Sequence, residues 1–369
     1  MNILFLTCWY PTKEMPSKGI FIKEHAKAIA QSGNTVVVLL LNVVYGNSFY
    51  HKEVDKFFDE NGIETHIIHL KSKLWKWIYV NPFFMYRIFK KYYLKEISSE
   101  FQPDVIHSNI LNPCAIMGDW LADDFKKPHV ITEHWSKIDN YMRKNFFSNY
   151  GRRAYENAKV ITAVSHFLKK NISNYVSNQD KIKNIPNVVN TKIFYYKPKA
   201  KSDKLTFTAI AHWKHPKAPL FFINALKNIE TDRNIILNMV GDGPQLEEIK
   251  KMKVKYSINY TGNISKEKIV EILHDSDFFV HASYIETFSL VIAEALSTGT
   301  PVIASNVGAI PELVNKTNGI LCNNDSYAWE NAIETALKMN FNHSQISQSN
   351  VEKFSYLSVG LKFNEVYKL

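Results

Sequence analysis

The feature that most constrains this chain is an alternation that runs through it and restarts once. Short apolar, β-branched runs at 2–7, 35–41, 64–69, 104–108, 129–132 and 160–164 read as strands, with longer helix-like stretches between them. The first such stretch, 20–32, has apolar residues at helical spacing, and Gly33 suits its end. The pattern begins again at 205–210 and continues at 235–240, 258–261, 277–282, 301–304 and 319–321. Residues 195–203 (YYKPKAKSD) are polar and basic, contain a proline and read as the linker. Alternating strands and helices imply parallel sheets covered on both faces. The expected architecture is therefore α/β, with two doubly wound Rossmann-like domains. In such sheets ligands bind beyond the carboxyl ends of the strands, so chemistry is sought in the loops that follow them.

The net charge of +10 is unevenly placed. The first 195 residues carry 26 Lys/Arg against 17 Asp/Glu, whereas residues 196–350 balance at 16 of each. A basic first half suits phosphorylated substrates or an anionic membrane surface, and equally a basic pI with no specific partner. The three cysteines, Cys8, Cys114 and Cys322, are far apart and form no CxxC or Cys/His cluster. A disulfide framework or zinc site is not expected, which fits a reducing, cytoplasmic setting. Met1 to Thr7 lacks a charged n-region and reads as a buried first strand, not a signal peptide. No apolar run approaches the roughly 18 residues that suggest a spanning helix.

The densest signal is Ser283-Tyr-Ile-Glu286-Thr-Phe-Ser-Leu-Val-Ile-Ala-Glu294-Ala-Leu-Ser-Thr-Gly299-Thr-Pro301. The spacing predicts a strand ending near Ser283 and a helix from about Phe288 to Thr298, stopped by Gly299. The first turn of a helix leaves N–H groups unpaired at the positive end of its dipole, and these can hold a diphosphate. Glu286 lies just before that helix. Glu294 lies eight residues later, roughly 12 Å along a helical axis. Two carboxylates so placed suit hydrogen bonds at different points of an extended ligand. Taken singly, each would read as an ordinary helix-start or surface acid.

The whole string, with the following Gly and Pro311-Glu-Leu-Val314, resembles the signature of the retaining glycosyltransferases of family 4, whose fold is called GT-B. That resemblance implies two domains, 1–195 with a crossing-back helix at 354–369 and 196–353, facing a central cleft. It implies a nucleotide-sugar donor held by the second domain and a glycan or lipid-linked glycan acceptor at the first. Glu286 would contact the donor sugar near the reacting carbon, and Glu294 the ribose. The amides of Phe288, Ser289 and Leu290 would meet the diphosphate, with Thr287 beside them. The family often has glycines where this chain has Thr287 and Ser289, and the side chains here narrow the approach to the donor.

Further motifs extend the resemblance. Val240-Gly241-Asp-Gly-Pro244 matches a turn near the nucleotide, and Tyr260-Thr-Gly262-Asn-Ile264-Ser matches the element beside the base. Taken alone, the GxG reads as a structural turn. In Ala211-His212-Trp-Lys214-His-Pro-Lys217 the resemblance implies that Lys217 neutralises the leaving diphosphate. His212 stands where the family usually has Arg. A neutral imidazole gives one donor where Arg gives a charged fork, so Lys214 or a protonated His212 is left to compensate. In the first domain Gly19 resembles the glycine of the loop after the first strand, near the donor phosphates. His134, in Thr132-Glu-His-Trp, resembles the histidine that faces the transferred sugar. Asn187 matches a turn before the interdomain link, with no chemistry assigned.

Asp275-Ser-Asp277 formally matches the DxD of metal-dependent transferases, but it falls at a helix-to-strand junction. Helix amides and basic side chains can take the diphosphate charge, so no metal and no other cofactor is expected. Residues 71–96 hold seven Lys/Arg, one acid and nine aromatics. They read either as core and acceptor cleft, or as a surface for an anionic membrane at the inner face of the cytoplasmic membrane. Nucleic acid accounts for the charge but not for the Glu286–Glu294 string. An NAD-dependent oxidoreductase would need a GxGxxG after the first strand, which is missing. The expectation is a metal-independent retaining hexosyltransferase of polysaccharide biosynthesis, with Glu286, His134 and Lys217 at the reaction centre. The alternative is a noncatalytic nucleotide-sugar or glycan-binding protein on the same fold.

Overall fold

A computed structural model describes residues 1–144, 146–200 and 202–368. The chain divides into two compact units, Met1–Val188 with Tyr356–Leu369, and Val189–Ser355. The divisions fall at 188/189 and 355/356, not at 195/196 and 353/354. Residues 195–200 belong to the second unit, where Lys199 pairs with Asp277 at 2.8 Å and Tyr195 O lies 2.7 Å from His274 Nε2, so the expected linker, though largely exposed, is tied to that unit. Lys201, within that linker, lies outside the described residues.

The first unit holds β1 (Asn2–Thr7), β2 (Thr35–Tyr45), β3 (His51–Phe58), β4 (Glu64–Ser72), β5 (Val105–Asn109), β6 (His129–Glu133), β7 (Val160–Ala163) and β8 (Ile182–Asn184). They form one sheet in the order β3-β4-β2-β1-β5-β6-β7-β8, parallel except for β3, which runs against β4. The two strands not expected from the sequence, β3 and β8, are edge strands. β3 (HKEVDKFF) is exposed along its whole length, so no buried face imposed an apolar alternation.

Successive residues of the central strands face opposite layers, as a two-residue period requires. Ile3, Phe5, Val36, Val38 and Leu40 pack with Ile22, Ala26 and Ile29 of the helix Ile20–Gln31. Leu4, Leu6, Val37, Leu39 and Leu41 pack instead with Met85, Phe89, Tyr92 and Tyr93 of the helix Pro82–Glu96. That second helix begins with Pro82 in its first turn, and Asn81 caps it by accepting from Phe83 N (3.1 Å) and Phe84 N (3.2 Å).

The helix expected at 354–369 is found as Tyr356–Tyr367, and Ser355 separates it from the helix before it. His343–Phe354 ends in the second unit, and Tyr356–Tyr367 packs in the first. Val359, Phe363 and Val366 join the first core, Asn364 donates to Ser32 O (2.9 Å), and Tyr367 bonds His107 Nδ1 at 2.5 Å. A Cβ on Gly360 would stand 2.4 Å from Ala28 O, so glycine sets how closely the two helices approach.

The second unit holds β9 (Lys204–Ile210), β10 (Asn234–Val240), β11 (Ser257–Gly262), β12 (Phe278–His281), β13 (Val302–Ser305) and β14 (Gly319–Cys322). All are parallel, in the order β11-β10-β9-β12-β13-β14. The strand order reverses between β9 and β12 here, and between β1 and β5 in the first sheet. In open α/β sheets this switch point opens a crevice at the carboxyl ends of the two strands. Among the described residues, no helix is long and apolar enough to cross a membrane.

On helix propensity alone, Gly360→Ala would stabilise by up to about 1 kcal/mol. With the Ala28 carbonyl in the way, the sign is expected to reverse, with a loss of about 1–3 kcal/mol in urea denaturation of the full chain.

Candidate active site

In the second unit, the loops after β9 and β12 meet at the switch point. The first loop is clamped on both sides. Trp213 N donates to Asp242 O (2.8 Å), Ala218 N to Ala282 O (3.0 Å) and Tyr284 N to Pro216 O (2.9 Å). Gly241 and Gly243 make the first clamp possible. A Cβ on Gly241 would lie 2.0 Å from Ala211 O, and one on Gly243 2.4 Å from Trp213 O. Gly241 thus serves loop-on-loop packing within the chain. Ile264 is half-buried in the loop after β11.

The clamped loop delivers Lys217, half-buried, into an ion pair with Glu286. Glu286 also lies 3.0 Å from His281 Nε2. The Glu286 backbone is pinned, because Ala309 N donates to Glu286 O (3.0 Å) and a Cβ on Gly308 would stand 2.2 Å from that oxygen. Burial by itself would raise the Glu286 carboxyl. The hydrogen bond from His281, its charge once acid protonates it, and then Lys217 outweigh it and hold the group down at about 2. His281 in turn is held below its ordinary value by burial and by the Lys217 charge. The cluster at pH 7 is a carboxylate, an ammonium and a neutral imidazole.

The helix after Glu286 is shorter than expected. It spans Leu290–Ser297, and Ser289 precedes it at φ 72°, ψ 79°. Phe288 and Ser289 stand outside the helix because the chain turns left-handed at Ser289. Phe288 is buried, its ring edge-on to Phe354 at 5.5 Å. Thr287 is half-buried beside Glu286. The helix N-terminus opens toward the segment that carries Glu286, so its first N–H groups are free of helical partners there. Glu294 is only 8 % exposed, so it is not a surface acid.

His212 is exposed, and its Nδ1 lies 2.7 Å from Asp242 O. A carbonyl only accepts, so Nδ1 carries the proton. Toward a phosphate the ring then offers a lone pair when neutral and a donor only as imidazolium. It does not replace the fixed fork of an arginine. Asp277 lies at the opposite end of β12 from the site. It is held by Lys199, Arg233 (2.9 Å) and Thr206 N (2.8 Å).

In the first unit, His134 follows β6 directly, as its place in the sequence implies. Its ring is buried, packs on Phe21 (4.8 Å) and His25 (5.2 Å), and is kept neutral by burial and by the neighbouring histidines. Gly19 is at φ 66°, with the Trp9 carbonyl 2.3 Å from where its Cβ would be. Glu133 was not singled out by sequence, yet it is the hub of this end of the sheet. Its carboxylate accepts from Leu111 N (2.9 Å), His134 N (3.0 Å), Trp135 N (2.9 Å) and Tyr155 OH (3.0 Å). Burial pushes it up to about 7 in spite of these donors. Cys8 and Cys114, remote in sequence, lie with their sulfurs 3.0 Å apart at the β1–β5 switch point, both as free thiols.

Glu133 and His281 share a sequence signature that motif reading passed over. Each is the polar last residue of a buried strand, in VITE and FFVH.

Residues 19–193 match the family model described as Glycosyltransferase Family 4, and residues 203–339 match that for Glycosyl transferases group 1. N-acetyl-alpha-D-glucosaminyl L-malate synthase of Bacillus anthracis is 24% identical over 340 residues, 86% of this chain and 82% of the relative. The putative teichuronic acid biosynthesis glycosyltransferase TuaC of Bacillus subtilis (strain 168) is 22% identical over 388 residues, 99% and 95% respectively. The solved structure of Anabaena Alr3699/HepE in complex with UDP superposes with a TM-score of 0.74 at 17% identity, covering 100% of both chains. The fold is GT-B, built from two Rossmann-like sheets. This chain belongs to glycosyltransferase family 4. It is a glycosyltransferase enzyme, and its relatives act in the making of glycoconjugates.

The folded Glu286 carboxyl titrates below its ordinary value of 4.5, at about 2. Its contribution to stability is therefore full above pH 4.5 and is lost as pH falls toward 2; it amounts to up to about 3 kcal/mol. In urea denaturation the stability gap between wild type and Glu286→Gln is expected to shrink as pH falls from 5 to 3.

Proposed function

We propose that this chain moves a hexose-type sugar from a nucleoside diphosphate donor to a glycan or lipid-linked glycan, with retention of configuration and without a metal. The observation that carries this reading is the Glu286–Lys217–His281 cluster at the switch point of the second sheet, beside a helix N-terminus. The two matching family models support the donor class, as does the UDP bound to the Anabaena neighbour. The teichuronic acid biosynthesis role of TuaC favours a polysaccharide product.

The diphosphate lies against the first N–H groups of the helix Leu290–Ser297, where the dipole favours negative charge. Buried Glu294, a turn further on, takes the ribose hydroxyls. Ionised Glu286 accepts from sugar hydroxyls and stabilises the positive charge that develops at the anomeric carbon. As the carbon–oxygen bond to the diphosphate breaks, its electron pair leaves with the nucleotide. Lys217 stabilises that departing charge. The acceptor oxygen attacks from the same face and gives its proton to the leaving phosphate oxygen. His134, neutral and following β6, is the first unit's residue for orienting the acceptor. The cations on Asp277, at the far end of β12, fit an arrangement in which charge compensation comes from Lys217 and helix amides.

Residues 71–96 divide between the two roles expected of them. Phe89, Tyr92 and Tyr93 are core, whereas Lys73, Leu74, Lys76 and Trp77 stand exposed together, Trp77 by 54 %. This tip fits a lipid-linked acceptor presented at an anionic membrane surface of the cytoplasm.

The test is a panel of nucleotide sugars, scored by thermal stabilisation and nucleotide release. Glu286→Ala is expected to lose turnover by at least about 100-fold while keeping wild-type secondary structure. Stabilisation by a donor without any turnover of it by wild type would assign the noncatalytic alternative. Flotation with anionic vesicles is expected to show salt-sensitive binding that weakens in Lys73→Glu/Lys76→Glu. Equal flotation of both forms would remove the membrane surface.

A further inference from the structure

His281, buried at the end of β12, has one nitrogen at the centre of the site. Its Nε2 lies 3.0 Å from Glu286 Oε1, 3.4 Å from Lys217 Nζ and 3.5 Å from Ser289 Oγ. The tautomer follows from these distances. A bare nitrogen would aim a lone pair at a carboxylate oxygen only 3.0 Å away. A protonated nitrogen donates to that oxygen and keeps the longer, weaker distance to the ammonium. Nε2 therefore carries the hydrogen, and the neutral imidazole is a fixed donor to Glu286.

Ser289 adds an independent observation. It is one of three non-glycine residues with positive φ among those described, at φ 72°. A Cβ is disfavoured there, and glycine would take this conformation freely. The side chain is nonetheless buried, with its hydroxyl turned toward His281. A residue that strains the backbone and spends its side chain beside the site is a candidate for function. The other groups facing Glu286 are few. Lys217 comes from the loop after β9, and the Gly308–Ala309 segment contributes only backbone. Among the described residues, the side chains paired with Glu286 are Lys217 and His281.

We propose that His281 and Ser289 are positioning residues, a brace in which the serine hydroxyl steadies the imidazole and the imidazole holds the Glu286 carboxylate in the orientation that meets the donor sugar. This rests on the donor reading of Glu286 and adds to it two residues that act through that carboxylate. Lys217 alone would leave the carboxylate free to follow a flexible ammonium. That ammonium must turn to the leaving diphosphate during the reaction, and the brace keeps Glu286 in place when it does.

Four variants separate the brace from ordinary packing. His281→Leu removes the donor at similar volume, and His281→Gln restores an N–H. Ser289→Ala removes the hydroxyl and keeps the strain, and Ser289→Gly removes both. Nucleotide release is measured against pH with UDP-glucose, UDP-N-acetylglucosamine and GDP-mannose, and UDP and GDP affinities are measured alongside. His281→Leu is expected to lower kcat at least about tenfold, with nucleoside diphosphate affinity unchanged. Its acid limb should move up by about one pH unit or more, because Glu286 loses a donor that favours its charged form. His281→Gln should recover most of both. Ser289→Gly should melt higher than Ser289→Ala, with kcat of both below wild type.

A second readout does not depend on turnover. In chain labelled with 13C-carboxyl glutamate, the Glu286 signal is identified by its loss in Glu286→Gln. It should stay constant from pH 8 to 4 in wild type and titrate within that window in His281→Leu. A constant signal in His281→Leu overturns the brace whatever the reaction proves to be. Loss of the brace signal with wild-type kcat in His281→Leu overturns its role in catalysis. Turnover by Glu286→Gln equal to wild type would instead refute the donor reading and leave the brace judged by its carboxyl signal.

Discussion

The second unit is organised around an ion pair that water only partly reaches. Lys217 and Glu286 arrive on loops from β9 and β12, the two strands between which the sheet changes direction. Bringing opposite charges together in a half-buried place is favourable only when desolvation is offset by further hydrogen bonds. That requirement explains much of the surrounding chain. Gly241 and Gly243 let one loop pack against the next, Gly308 lets the chain press against the Glu286 carbonyl, and His281 supplies the extra donor. Charge and geometry are thus both fixed by the folded unit itself, as electrostatic preorganisation requires.

The sheets were legible because they are buried on both faces. Their central strands are near-continuous apolar runs such as Val36–Leu41. Edge strands β3 and β8 escaped the same reading for the opposite reason, since solvent on β3 leaves its residues free to be charged. The position of Glu286 and Lys217 was legible as a string of residue types, but their contact, 69 residues apart in the chain, was not. Nor was the left turn at Ser289, which shortened the expected helix, because serine does not announce a conformation that glycine usually fills. Glu133 and His281 were hidden by their neighbours. A polar residue closing an apolar strand looks like a boundary until the sheet shows that its side chain is surrounded by donors and acceptors.

The first unit solves a related problem with different means. Its strand ends carry an acid, Glu133, held by three amides and a phenol and, among the described residues, paired with no cation. The amides belong to the loops after β5 and β6, so a single carboxylate sets the relative placement of both. The neutral histidines beside it, His25, His107 and His134, add polarity without adding charge to an interior that could not solvate it. Each unit thus places one glutamate at the carboxyl ends of its strands, one compensated by a lysine and the other by dipoles.

The helix Tyr356–Tyr367 carries a consequence for how the protein is made. It follows the whole second unit in the chain, yet Val359, Phe363 and Val366 complete the core of the unit that is synthesised before it. That unit must wait, with one layer uncovered, while the whole of its partner emerges and closes on itself. The earlier unit therefore closes only after the later one has been made, and a chain cut before Tyr356 would leave the earlier unit as the unfinished one.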